Sequence, residues 1–248
     1  MKRVLLGPLL RLVYRPSAEN VEHVPKEASA ILASNHLTVI DSFFLPLVFE
    51  RKISFLAKSD YFTQRGPKGW AKRVFFGGTG QVSIDRSGGR AGEQALRTAV
   101  VVLERGELLG IYPEGTRSPD GRLYRGKTGV ARMALEAKVP VIPIAMIGTA
   151  KMQPAGRVIP KIMRPGPSIR FGKPLDFSRY EGMENDRLVL RSITDEIMYE
   201  LMELSGQEYV DIYAQVAKDR LKAEAKAEKA GAPPPADEAP PGDRAPAA

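Results

Sequence analysis

The run Ser34-Asn35-His36-Leu37-Thr38-Val39-Ile40-Asp41 sets one of the chain's two histidines a short turn ahead of a carboxylate. His36 follows the apolar stretch Ala30-Ile31-Leu32-Ala33, which reads as a buried strand. An imidazole at a strand's exit, with an acid within folding reach, can form a general base and the group that orients it. The carboxylate would fix the ring's tautomer and stabilise the imidazolium once the other nitrogen has taken a proton. The same spacing also suits a packed or capping histidine beside an aspartate that opens a helix, so the pair needs support from elsewhere in the chain.

Support comes from three further stretches, in order: Gly80-Gln81-Val82-Ser83-Ile84-Asp85-Arg86, Tyr112-Pro113-Glu114-Gly115-Thr116-Arg117-Ser118, and Val139-Pro140-Val141-Ile142-Pro143. Together with Asn35-His36 and Asp41, they resemble the four blocks of the glycerolipid acyltransferase family, whose bacterial type member is 1-acyl-sn-glycerol-3-phosphate acyltransferase. Lys58, after the second apolar run, matches a lysine of that family. The resemblance covers roughly residues 20 to 175. Tyr112 stands where the family usually has phenylalanine, and Ser83 where it has a larger apolar side chain.

The resemblance implies transfer of a fatty acyl group from a thioester, acyl-CoA or acyl carrier protein, to the hydroxyl of lysophosphatidic acid, with phosphatidic acid as product. Another lysophospholipid or polar lipid is the alternative acceptor. A thioester is already activated, so deprotonating the alcohol suffices, with His36 as base and Asp41 holding its ring. No cofactor is implied beyond the acyl thioester co-substrate. Backbone N–H groups at the helix start after His36 are candidate donors to the developing oxyanion.

The acceptor's phosphate calls for cations, and Arg117, Lys58 and Arg86 are the candidates, Arg117 able to grip two oxygens at once. Gly115 and Thr116 belong to the same binding turn, with glycine permitting close backbone approach beyond a strand's C-terminal end. Glu114 would repel a phosphate directly, so it is expected to order Arg117 or a nearby hydroxyl. Asp85 is expected to pair with Arg86 or a backbone amide.

Composition sets outer limits. At 248 residues with 43% hydrophobic and 27% charged residues, the chain is long enough for one substantial core. The formal charge of +8 suits phosphate-bearing partners, among them an anionic membrane surface. There are no cysteines, which removes disulfides, thiolate metal sites and a cysteine nucleophile. With two histidines a histidine-rich metal site is not expected. Aromatics between residues 61 and 76 could stack on bases, but a basic, apolar face for a bilayer explains them as well, and no nucleic-acid partner is expected.

The elements that must position these residues alternate. Runs at Ile53–Ala57, Gln81–Ile84, Leu108–Tyr112, Val139–Ile147 and Ser168–Phe171 read as strands. Helical spacing covers Gly92–Arg105, Gly129–Lys138, Asn185–Leu204 and Gln207 to about Ala227. The expected fold is therefore α/β: a single domain with a largely parallel or mixed central sheet flanked by helices. Residues 1–15 read as an amphipathic membrane-associating segment, with leucines flanked by Lys2, Arg3, Arg11 and Arg15, or as a helix docked on the core. The domain covers 16–228, and the Pro/Ala-rich stretch 229–248 reads as a disordered tail. These readings put the protein on the cytoplasmic face of the cell membrane, peripheral or monotopic.

Other classes compete. Gly121-Arg122-Leu123-Tyr124-Arg125-Gly126-Lys127-Thr128 satisfies a phosphate-loop pattern, but it does not leave its strand directly. No G-x-S-x-G elbow supports a serine hydrolase. A non-catalytic, peripheral lipid-binding protein is disfavoured by the intact His36/Asp41 pair.

Overall fold

Strands that alternate with helices and are apolar on both faces must be covered on both sides, and the chain is built in that way. The computed structural model describes residues 7–48, 51–58, 81–84, 91–154, 157 and 159–229. The strands are β1 (Ser17–Glu19), β2 (Ala30–Ser34), β3 (Ile53–Lys58), β4 (Gln81–Ile84), β5 (Leu108–Ile111), β6 (Leu123–Tyr124), β7 (Val141–Ile147), β8 (Ser168–Phe171) and β9 (Tyr209–Val210). Among the described residues, the main sheet runs β1-β8-β7-β2-β5-β3-β4. Every neighbouring pair in it is parallel except β7 with β8. The expected mostly parallel α/β sheet is thus what forms.

The helices are α1 (Gly7–Tyr14), α2 (Asp41–Leu47), α3 (Ala91–Glu104), α4 (Gly129–Ala137), α5 (Thr149–Met152), α6 (Arg187–Ser205) and α7 (Ala214–Lys229). Side-chain alternation on β2 divides the core. Ile31 and Ala33 join a cluster with Leu96, Ala99 and Leu103 of α3 and Ile193 and Ile197 of α6. Ala30 and Leu32 face the other way, toward Phe44 and Leu45 of α2 and Tyr14 of α1. A strand buried on both faces needs a continuous apolar run, which is why Ala30 to Ala33 carries no polar residue.

Local signals explain the helix ends. Asp186 caps α6 by accepting from the backbone N–H groups of Leu188 and Val189, and Gly206 ends it at φ +66°. The helix expected from Gln207 instead starts at Ala214, because Tyr209–Val210 first pairs in parallel with Leu123–Tyr124. A two-residue strand has no periodicity to read, so only its partner reveals it. On α3 the buried face carries Leu96, Ala99, Val102 and Leu103.

The N-terminal helix α1 is docked on the core, as one of the two readings made of it expected. Tyr14 is buried on the core, its hydroxyl donating to Pro160 O at 3.2 Å, and the Arg11 guanidinium donates to Leu47 O. Leu9 and Leu12 nevertheless stay exposed, at 55% and 69%. No helix of the described residues is long and apolar enough to cross a membrane. The expectations for residues 61–76, for Asp85 and Arg86, and for the tail beyond Lys229 fall outside the described residues.

One glycine carries a packing constraint that reaches the site. A Cβ on Gly110 of β5 would lie 2.4 Å from Phe55 Cε1, and the Phe55 ring packs 5.9 Å from that of Tyr112. Gly110→Ala should therefore lower stability by about 1–3 kcal/mol, the usual cost of overpacking. Thermal melting checks this, and an unchanged Tm would mean the ring can swing aside freely.

Candidate active site

Strands β2 and β5 lie side by side and parallel, so the loops leaving their C-terminal ends meet. His36 follows β2 and the turn Tyr112–Ser118 follows β5. The turn closes by Gly115 N–H donating to Tyr112 O at 2.9 Å, with Pro113 leading and Gly115 at φ +72°. A side chain at Gly115 would also meet Lys127, whose Cε lies 2.9 Å from where a Cβ would stand. Backbone freedom and close approach both require glycine there.

His36 Nδ1–H donates to Asp41 Oδ2 at 3.2 Å. Asp41 is fully buried, and an unpaired carboxylate there would cost several kcal/mol. Three further donors compensate: Leu37 N–H and Thr38 N–H to Oδ2, each at 2.7 Å, and the Thr38 hydroxyl to Oδ1 at 2.9 Å. Because Asp41 is an acceptor, Nδ1 must carry the proton, which leaves Nε2 with its lone pair free to act as a base. The two N–H groups immediately after His36 are thereby committed to Asp41. Neither of these two is therefore free to donate to a developing oxyanion.

The imidazole is held by its face as well as its edge. It stacks on Tyr112 at 3.8 Å between centroids and 12° between planes. The Tyr112 and Ser42 hydroxyls share a hydrogen bond of 2.8 Å. Burial, then the Asp41 charge, pushes the Tyr112 phenol up and keeps it protonated. The His36 side chain retains 16% exposure, so a substrate hydroxyl can reach it.

The backbone of His36 is fixed just as firmly. Its N–H donates to Glu114 Oε1 at 3.1 Å and its carbonyl accepts from Ser118 N–H at 2.7 Å. Glu114 Oε2 accepts from Tyr124 N–H at 3.1 Å. Glu114 therefore does not order Arg117 or a hydroxyl as expected from the sequence. It is 1% exposed and cross-links two loops through their amides, out of reach of a bound ligand. Asn35 extends the sheet in the same spirit. Its carboxamide donates to Met146 O at 3.1 Å and accepts from Met146 N–H at 2.7 Å, then donates to Gln207 Oε1 at 2.6 Å. Gln207 in turn donates to Gly121 O at 2.6 Å.

Beside the histidine lies a cleft of about 710 Å³, lined among others by Leu37, Thr38, Arg117, Arg157 and Lys218. The structure thus brings together His36, Asp41, Gly115, Thr116 and Arg117. Lys58 closes β3 opposite Ile84, and its side chain and Arg86 lie outside what is described. The sequence reading missed Arg157, Gln207 and Lys218, which no motif marks. Among the described residues no cluster of three or more His, Asp or Glu side chains could hold a metal.

In the phosphate-loop pattern at Gly121–Thr128 most of the amides are already committed within the fold. The N–H groups of Leu123, Tyr124, Arg125 and Lys127 donate to Glu208 O, Glu114, Ile212 O and Pro113 O. Such a loop works by presenting free N–H groups to phosphate, so this match is incidental.

A family model described as Acyltransferase matches residues 15–147. The chain is 32% identical over 144 residues to the chloroplastic 1-acyl-sn-glycerol-3-phosphate acyltransferase LPAT1 of Arabidopsis thaliana, covering 58% of this chain and 39% of that protein. It is 28% identical over 131 residues to the 1-acyl-sn-glycerol-3-phosphate acyltransferase of Bacillus subtilis, covering 52% of this chain and 61% of the other. The chain thus spans less than two thirds of the length of these relatives. The crystal structure of PlsC, the 1-acyl-sn-glycerophosphate (LPA) acyltransferase of Thermotoga maritima, superposes with a TM-score of 0.58 at 26% identity, over 80% of this chain and 76% of that one.

Glu114 should leave a pH signature. Burial, the largest influence, raises its carboxyl from 4.5 to about 7 against the two backbone hydrogen bonds, which lower it. Between those values the folded chain binds more protons than the unfolded one. The group's contribution therefore favours folding at the acid end and declines as pH rises from about 4.5 through about 7. Relative to Glu114→Gln, the wild-type Tm should fall across that window. A pH-independent Tm difference would show that Glu114 titrates normally.

Proposed function

The chain belongs to the acyltransferase family, and from that premise we propose that it moves a fatty acyl group from a thioester donor to the free hydroxyl of lysophosphatidic acid, giving phosphatidic acid. The observation that carries the reading is the 3.2 Å contact of His36 Nδ1 with buried Asp41, beside a cleft lined by Arg117. The names of the relatives in Arabidopsis thaliana, Bacillus subtilis and Thermotoga maritima support the choice of acceptor.

In the proposed reaction, His36 Nε2 takes the proton of the acceptor hydroxyl as its oxygen attacks the thioester carbonyl. Asp41 stabilises the imidazolium that results, and stacking on Tyr112 holds the ring in one plane. Collapse of the tetrahedral intermediate breaks the carbon–sulfur bond. The imidazolium then returns its proton to the departing thiolate, so the histidine ends as it began. Arg117 grips the acceptor's phosphate, with Lys58 and Arg86 as further cations. The donor is acyl-CoA or acyl carrier protein, and no other cofactor is needed. The exposed Leu9 and Leu12 of α1 and the basic surface support peripheral attachment to an anionic membrane, on its cytoplasmic face.

Mass spectrometry of products from mixed lysolipids with acyl-CoA or acyl carrier protein tests the proposal. Phosphatidic acid should dominate, and absence of any acylated lipid would sink it. His36→Ala should cut turnover by about 10²-fold or more while the protein stays folded. Retained turnover in a folded variant would remove His36 from the chemistry. Arg117→Ala should chiefly raise the acceptor KM, and an unchanged KM would take Arg117 out of headgroup binding.

A further inference from the structure

We propose that Lys218, carried by helix α7, is a phosphate-site residue that makes the cleft select a phosphomonoester headgroup over a phosphodiester one. This rests on the acyl-transfer reading given above. Helix α7 lies beyond the stretch 15–147 that the family model matches, so no motif would have pointed to it. Ala214 and Ala217 bury themselves against Tyr124 and dock the helix beside the binding turn. Lys218, the next residue, reaches that turn, and its ammonium donates to the Thr116 hydroxyl. It lines the same cleft as Arg117 and Arg157.

The charges in this cleft are unbalanced. The acid lining it is Asp120, already engaged by Arg122 Nε at 2.7 Å and the Tyr124 hydroxyl at 2.8 Å. Among the described residues no carboxylate forms an ion pair with Arg117 or Lys218. Burial and then the neighbouring Arg117 charge push the Lys218 ammonium toward its neutral form, with Glu114 pulling weakly the other way. A dianion entering between them would relieve that repulsion. A phosphomonoester offers three acceptor oxygens and close to two negative charges. Arg117 can take two oxygens as a fork, which leaves one for Lys218. A phosphodiester headgroup has two such oxygens and one charge, so Arg117 alone satisfies it.

The test compares the full-length wild type, Lys218→Met and Lys218→Arg with lysophosphatidic acid and with lysophosphatidylglycerol as acceptors. Lys218→Met should raise the KM for lysophosphatidic acid about tenfold, as expected for one charge-assisted hydrogen bond. Its kcat should stay within about twofold, and its KM for the diester should not move. Lys218→Arg should restore most of the discrimination. Equal KM changes for both acceptors, a loss that arginine does not rescue, or no change at all would overturn the proposal, because each fits a lysine that only pins α7 to Thr116. Equilibrium binding of lysophosphatidic acid separates this inference from the functional reading. If the wild type turns over neither acceptor, the acyl-transfer reading falls. Weaker binding by Lys218→Met would then still uphold the anion site, and equal or absent binding would overturn it.

Discussion

A carboxylate with no access to water organises everything around it. Asp41 opens α2 at a fully buried position, and folding is tolerable only because four donors converge on it. All four come from the loop between β2 and α2, so the carboxylate dictates the course of that loop. One of them is the imidazole, whose tautomer follows from donating. The price of this arrangement is that Leu37 and Thr38 have no amide to lend to a reacting carbonyl.

Positioning of the ring is shared among several layers of the fold. Tyr112 presses on its face, Glu114 and Ser118 hold its backbone, and Asn35 splices the end of β2 to β7 through a carboxamide that imitates a ladder rung. These restraints come from the ends of three adjacent parallel strands. Their shared polarity brings the loops after β2, β5 and β7 to one edge of the sheet, where Leu37, Arg117 and Ala150 all line the cleft. The antiparallel β8 lies outside that trio.

What could be read from the chain beforehand divides along physical lines. Ala30–Ala33, Leu108–Ile111 and Val141–Ile147 were legible because burial on both faces demands unbroken apolar runs. His36 and Asp41 were legible because they sit in one turn, where spacing alone brings them into reach. Glu114 was visible but misassigned, since accepting from amides leaves no mark on neighbouring residue types. Gln207 and Lys218 were invisible for a different reason. Each meets its partner across 86 to 172 positions of chain, and nothing local distinguishes a lysine in a polar helix from one poised over a ligand. The late start of α7 belongs with these, as Tyr209–Val210 is a strand only by virtue of Leu123–Tyr124.

The Asn35 carboxamide also bears on how the molecule is assembled. Its partner on β7 is 111 residues downstream, and β2 sits between β5 and β7 rather than at a margin. Such distant pairings are entropically costly to close and tend to slow folding. A nascent chain that has emerged only as far as α4 already contains His36, Asp41 and Arg117, yet β2 has one flank bare. The edge that carries His36 and Arg117 is completed only when β7 slots in, so the candidate site takes shape with closure of the sheet and not with synthesis of the motifs.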